Sequence, residues 1–182
     1  MEDHIQTVHP ENRTEWRSWL EKNHTFQNSV WLIYNKVNSG RPILSHTDAI
    51  DEALCFGWID SKGMSVDDKA FKVCFTKRKP KSMWSKINKE KIERLIEQGL
   101  MTELGLAVIE IAKKNGSWNM LDEVEELIIP DDMQRELDKH PKALAHFKRL
   151  SKSNKRAVLL ALVMAKREET RQKRIAEFIA SI

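Results

Sequence analysis

Cysteine, glycine, proline and tyrosine are scarce in this chain of 182 residues, and each scarcity excludes something. Only Cys55 and Cys74 are present, with no Cys-x-x-Cys spacing, so a dithiol redox centre and a disulfide framework are both excluded; each thiol lies beside a phenylalanine and reads as a buried free cysteine. Six glycines and five prolines are too few for a turn-rich all-β fold. They form neither a phosphate-binding P-loop nor a dinucleotide fingerprint, and no Ser-centred nucleophile elbow occurs. The six histidines lack the His-x-x-x-His or Cys/His spacing of a metal site, so no metal and no cofactor is expected. The longest apolar run, "AVLLALVMA" from Ala157 to Ala165, is nine residues, too short for a membrane span. The N-terminus has no basic, apolar leader pattern, and a cytoplasmic location is the expectation.

What is present is charge and helix periodicity. Charged residues make up 32% of the chain and hydrophobic ones 41%, a balance that favours a folded, soluble protein over a disordered one. The net charge of +4 permits anionic partners without demanding them. Its distribution is uneven. Lys77 to Arg94 holds eight basic and two acidic residues, whereas Asp122 to Asp138 holds eight acidic residues against Arg135 alone. The acidic block reads as a solvated helix face. The basic block reads as a site.

The N-terminal part alternates element types. "ENRTEWRSWLEKN" places Trp16, Trp19 and Leu20 on one helical face, and "SVWLIYNK" reads as a strand. "NSGRP" is a turn. Ser45 caps a helix over 45–56, with Asp48 in the capping-box position and Gly57 at its stop. "WID" opens a β-region, "SKGMSVDDK" carries the following turns, and "AFKVCF" is a strand over 71–76. After Pro80 the pattern is helical throughout. Ile87, Ile92, Leu95 and Ile96 mark one stripe, Thr102 caps the next helix, and Pro141 suits a first helical turn. Ile175, Phe178, Ile179 and Ile182 mark the last stripe. The fold class expected is α+β: a small, mainly antiparallel sheet with helices over residues 1–80 and an all-helical region over 81–182, forming one unit.

The chemistry-bearing stretch is "FTKRKPKSMWSKIN". Lys77, Arg78, Lys79 and Lys81 precede a helix start, where unpaired N–H groups carry a partial positive charge. Ser82 or Ser85 suits the cap, Trp84 offers a flat apolar wall, and Asn88 lies in the first turn. That combination suits a phosphate or carboxylate. In "GWID", Asp60 follows Trp58 and Ile59 and is placed to fix the Arg78 guanidinium. The candidate ligand-binding residues are therefore Trp58, Asp60, Arg78, Trp84, Ser85 and Asn88, with no catalytic residue assigned. Lys91, further along the helix, is a bystander in this reading. The partner expected is an anionic small molecule. Weak nucleic-acid binding through 77–94 and 166–174 is the alternative, and an enzyme acting on an anionic small molecule is a third.

"ALCFGWIDS", "FTKRKPKSMWSKIN", "GLMTELG" and "AKREETRQKRI" together resemble the YdeI/OmpD-associated, or bacteriocin-protection, family over nearly the whole chain. The pattern falls on Gly57, Trp58, Ile59 and Asp60, then on Phe75, Thr76, Arg78, Pro80, Ser82, Trp84, Ser85 and Asn88. In the last helices it falls on Lys166, Glu169, Thr170, Arg171 and Arg174. The resemblance implies a bacterial protein of stress resistance, protecting against bacteriocins or cationic antimicrobial peptides. It supplies no catalytic residue.

Overall fold

The structure is a computed structural model that describes residues 5–41 and 44–182. It is α+β, as the patterning predicts, and divides into two units. The first comprises the described residues up to Ser82 together with Ile87–Ser117. The second comprises Met83–Lys86 together with Trp118–Ile182.

The first unit combines a four-stranded mixed sheet with helices. Its strands are β1 (Thr7–Val8), β2 (Ser29–Asn35), β3 (Trp58–Ser65) and β4 (Ala70–Lys77), in the order β1-β2-β4-β3. β1 runs parallel to β2, and the other two pairings are antiparallel. Helices α1 (Arg13–Asn23) and α2 (His46–Cys55) start where side chains satisfy their first N–H groups. Asn12 Oδ1 accepts from Glu15 N at 3.0 Å, and Ser45 Oγ accepts from Asp48 N at 3.0 Å. The expected 45–56 helix and 71–76 strand are both present. "SKGMS" is not a turn but the continuation of β3, and the reversal is confined to 66–69, where Asp67 Oδ1 accepts from Lys69 N and Ala70 N. Of the expected "NSGRP" turn, Val37–Ser39 form a short 3-10 turn ending at Gly40, and Pro42 lies outside the described residues.

Aromatic packing sets the core of this unit. Trp16 is fully buried, stacks on Trp19 at 5.3 Å, meets Phe75 at 5.4 Å and donates its indole N–H to Ala49 O at 3.0 Å. The middle of β4 is covered on both faces, so Cys74 is buried along with Val73 and Phe75 and the expected alternation is lost there. Trp31 lies opposite Cys74, and Lys72 and Lys62 pack over its ring at 4.6 and 5.5 Å. Both thiols are buried, as expected.

Helices α3 (Lys86–Glu97) and α4 (Glu103–Lys114) follow. Only Ile92 and Leu95 of the expected α3 stripe are buried, while Ile87 and Ile96 are exposed. At about 100° per residue, Ile87 and Ile96 fall on opposite flanks of the buried face. The start of α4 is fastened to the end of α2: Thr102 donates both its hydroxyl (2.6 Å) and its N–H (3.1 Å) to Cys55 O. Gly105 allows this approach, since a Cβ there would lie 2.3 Å from Cys55 O.

The second unit is helical: α5 (Asp122–Glu125), α6 (Asp131–Lys139), α7 (Pro141–Arg149), α8 (Lys152–Val163) and α9 (Glu168–Ala180). Its core gathers Val124, Met133, Leu137, Ala143, Phe147, Leu159, Leu162 and Ile175. Phe178 and Ile179 pack against that core, while Ile182 of the expected stripe is exposed.

Candidate functional site

Gly57, at φ +71°, turns the chain from α2 into β3 and accepts the Arg78 N–H at 2.9 Å, so the start of β3 and the end of β4 are held side by side. Asp60 is the third residue of β3. Its Oδ2 lies 3.4 Å from His46 Nε2, at the first residue of α2. His46 Nδ1 in turn lies 3.2 Å from the Tyr34 hydroxyl of β2. The Tyr34 ring is fixed by stacking on Phe71, at 4.9 Å and 8°. Two strands and a helix terminus thus build a line Tyr34–His46–Asp60.

The electrostatics single out Asp60 as the shared group. Arg78 is 8% exposed, and burial pushes its pKa down to about 10, partly offset by the Asp60 charge. Burial raises the Tyr34 phenol well above its ordinary value, and the Asp60 charge raises it further. Asp60 itself is about one-third exposed and His46 nearly half. The sequence reading placed Asp60 near Arg78, and their electrostatic coupling is present. It missed Tyr34 and His46, which only the strand order and the packing of α2 bring to Asp60.

Trp58 is 1% exposed and packs edge-on against Trp19 at 6.1 Å, inside the first unit. Asn88 is half-buried in the first turn of α3. Trp84 and Ser85 belong to the second unit, where Trp84 is 2% exposed and packs against Trp118 at 5.0 Å. Both candidate tryptophan walls are therefore core side chains.

A second ionic cluster surrounds adjacent acids of α2. Glu52, 2% exposed, accepts from Arg13 Nε at 2.5 Å and Arg17 Nη1 at 2.7 Å. Asp51, 1% exposed, pairs with Lys91 Nζ at 2.6 Å and with Arg94. Part of the basic block, Lys91 and Arg94, is thus committed to an internal acid. Cys55, at the end of the same helix, has its thiol pushed up to about 11 by burial and by Glu52, against the lowering effect of Arg17.

In the second unit, Arg171 donates through Nε and Nη2 to the Asp132 carboxylate, at 2.5 and 2.8 Å, and through Nη1 to Leu162 O at 3.2 Å. Arg174 donates to Ala161 O. These two arginines of the "AKREETRQKRI" motif therefore hold late carbonyls of α8, and Arg171 also ties α9 to α6. An apolar groove of about 590 Å³, lined by Leu160, Met164, Phe178 and neighbours, lies between α8 and α9. Among the described residues no group of three or more His, Cys, Asp and Glu converges as a metal site would require, and no helix is long and apolar enough to cross a membrane.

A family model described as a domain of unknown function, DUF8412, matches residues 8–108. A second, described as "Bacteriocin-protection, YdeI or OmpD-Associated", matches residues 126–182. The resemblance to the latter family holds over that C-terminal part; the "ALCFGWIDS" and "FTKRKPKSMWSKIN" motifs fall in the stretch matched by the former. No curated protein and no solved structure matches the chain.

Proposed function

The chain belongs to the DUF8412 family through residues 8–108 and carries the YdeI/OmpD-associated match over 126–182, and from that premise we propose a non-enzymatic, cytoplasmic binding protein of the bacteriocin-protection type whose first unit holds a small anion beside Arg78 and Asp60. The observation that carries this reading is the charge environment of Arg78. Arg78 is buried, and the carboxylate whose field reaches it, Asp60, is within ion-pair range of His46. In so desolvated a setting a charge-assisted hydrogen bond from a guanidinium to an anion is stronger than in water, which supports an anionic small ligand there. Binding rather than covalent chemistry is supported by the nucleophiles nearby: the Cys55 thiol and the Tyr34 phenol are buried, and both are shifted away from ionisation.

Sulfate is the probe, used at low millimolar concentration so that its general salting effect on stability stays small. Calorimetric titration of the wild type should show one sulfate site. Arg78→Met, which keeps length and removes charge, should weaken binding about tenfold to a hundredfold, the range set by a charged hydrogen bond. Lys81→Ala, at an exposed lysine of the same block, should bind as wild type does. If Arg78→Met does not fold, Asp60→Asn serves instead and should bind sulfate more tightly, since it removes a competing carboxylate. Equal affinities in wild type and in whichever of these two variants is measured refute the site.

A further inference from the structure

Helix α4 buries one face: Gly105, Ile109 and Ala112 are turned inward, with Gly105 seated against Cys55. A second apolar stripe, Leu104, Ala107 and Ile111, repeats at i, i+3 and i+7 and is open to solvent. Leu104 is 48% exposed and Ile111 45%, so two large apolar side chains share this outer face. Charge flanks the stripe. Glu103 and Lys114 stand eleven residues apart on the helix, which returns them to within about 20° of each other around its axis. They mark the two ends of a single flank, the acid at the start and the base at the finish. Both are exposed, and among the described residues neither takes part in an ion pair. Glu110, between them on the same flank, is paired with Lys113 at 3.3 Å.

We propose that this face pairs with the same face of a second copy of the chain, antiparallel, about a twofold axis beside Ala107. The polarity of the charges selects the occupant. In an antiparallel pair each flank meets itself reversed, so Glu103 of one copy faces Lys114 of the other, and the twofold axis makes that contact twice. A parallel pair would set Glu103 beside Glu103 and Lys114 beside Lys114. The apolar side chains match in the same register. Leu104 faces Ile111 of the second copy on either side of the crossing, and the short Ala107 side chain lets the two helix axes approach there. The ion pairs lie at the rim, where they set orientation more than strength. α4 is twelve residues long, about 18 Å. One seam of that length falls short of the about 800 Å² per partner of a standard interface, so the dimer is weak and reversible.

Sedimentation equilibrium of the full chain tests this at about 10 µM and about 500 µM protein in about 50 mM salt, where rim charges are weakly screened. Wild type should be monomeric at the lower concentration and move toward twice the chain mass at the higher. Leu104→Glu, at an exposed position, should stay monomeric at both. Should it fold poorly by circular dichroism, Ile111→Glu takes its place with the same expected result. Lys114→Glu sets acid against acid at both ends of the seam and should weaken the dimer about tenfold. Adding Glu103→Lys to it reverses both charges and should restore the affinity to within about threefold of wild type. A wild type that stays monomeric at about 500 µM refutes the pairing. Dimerisation of the Leu104 or Ile111 variant as in wild type places the interface elsewhere and refutes it too. A double charge variant no tighter than Lys114→Glu alone overturns the antiparallel register, and a mass that climbs beyond the dimer overturns the twofold.

Discussion

Two adjacent acids, Asp51 and Glu52, show what a linear reading of single side chains misses. Neighbours on one helix are expected to include a solvated position, yet both are buried and each is neutralised from a different helix, Glu52 from α1 and Asp51 from α3. Asp60 and Arg78 were legible because an aspartate behind a glycine turn and an arginine in a basic cluster are locally conspicuous. Tyr34 and His46 were not, since their approach to Asp60 depends on how β2, β3 and α2 are brought together. The same limitation made Lys91 look like one more solvated lysine. Its side chain is 15% exposed and 2.6 Å from a buried carboxylate. Lys91→Ala leaves Asp51 with Arg94 alone and should cost about 1.5–3 kcal/mol in urea unfolding at neutral pH. Lys81→Ala should cost under about 0.5 kcal/mol, as exposed substitutions do. Equal midpoints for the two variants would mean that water, not Lys91, compensates Asp51.

Two helix starts were legible from their caps, Ser45 and Thr102, while the caps at Asn12 and Ser151 were not read. Asn12, Ser45, Thr102 and Ser151 each accept a first-turn N–H, and the helices behind them begin there. The short pieces, β1 with two residues and α5 with four, show no period long enough to read. The role of the "AKREETRQKRI" motif was also hidden, because capping another helix is a tertiary act. Arg171 joins α9 to Asp132 of α6 and to the end of α8, and it holds the Asp132 carboxyl below its ordinary value through that hydrogen bond. A depressed folded-state value means that the unfolded chain takes up the proton first. The stabilisation is therefore present above the ordinary carboxylate range, about pH 4, and is lost as pH falls through the lower folded value. Arg171→Ala should accordingly be less stable than wild type at about pH 7, and the gap should narrow at about pH 3. Urea midpoints of both proteins at the two pH values check this. A gap that stays constant would assign the role of Arg171 to the Leu162 carbonyl alone.

Across the whole molecule, charge segregation in the sequence becomes neutralisation within each unit. In the first, Lys91 and Arg94 from the basic block serve Asp51, and Lys77 donates to Thr25 O. In the second, Asp132 and Glu125 of the acidic block are paired by Arg171 and Arg156, and Arg174 is held on a helix carbonyl. The residues that made 77–94 and 166–174 look like a nucleic-acid surface are in good part already engaged. Exposed cations remain, among them Lys79, Lys81 and Lys86, but the net charge is only +4. Nucleic-acid affinity arises chiefly from lysines and arginines that displace counterions from phosphates, and it falls linearly on a log–log plot with salt, at a slope set by the number of phosphates neutralised. A low net charge and partly engaged basic segments point to a shallow slope and a weak complex. A gel-shift titration with duplex DNA and with single-stranded RNA should therefore show at most diffuse retardation at about 20 mM salt and none at about 150 mM. A discrete complex surviving the higher salt, with a slope equivalent to six or more phosphates, would make nucleic acid the partner and displace the small anion from Arg78 as the protein's ligand.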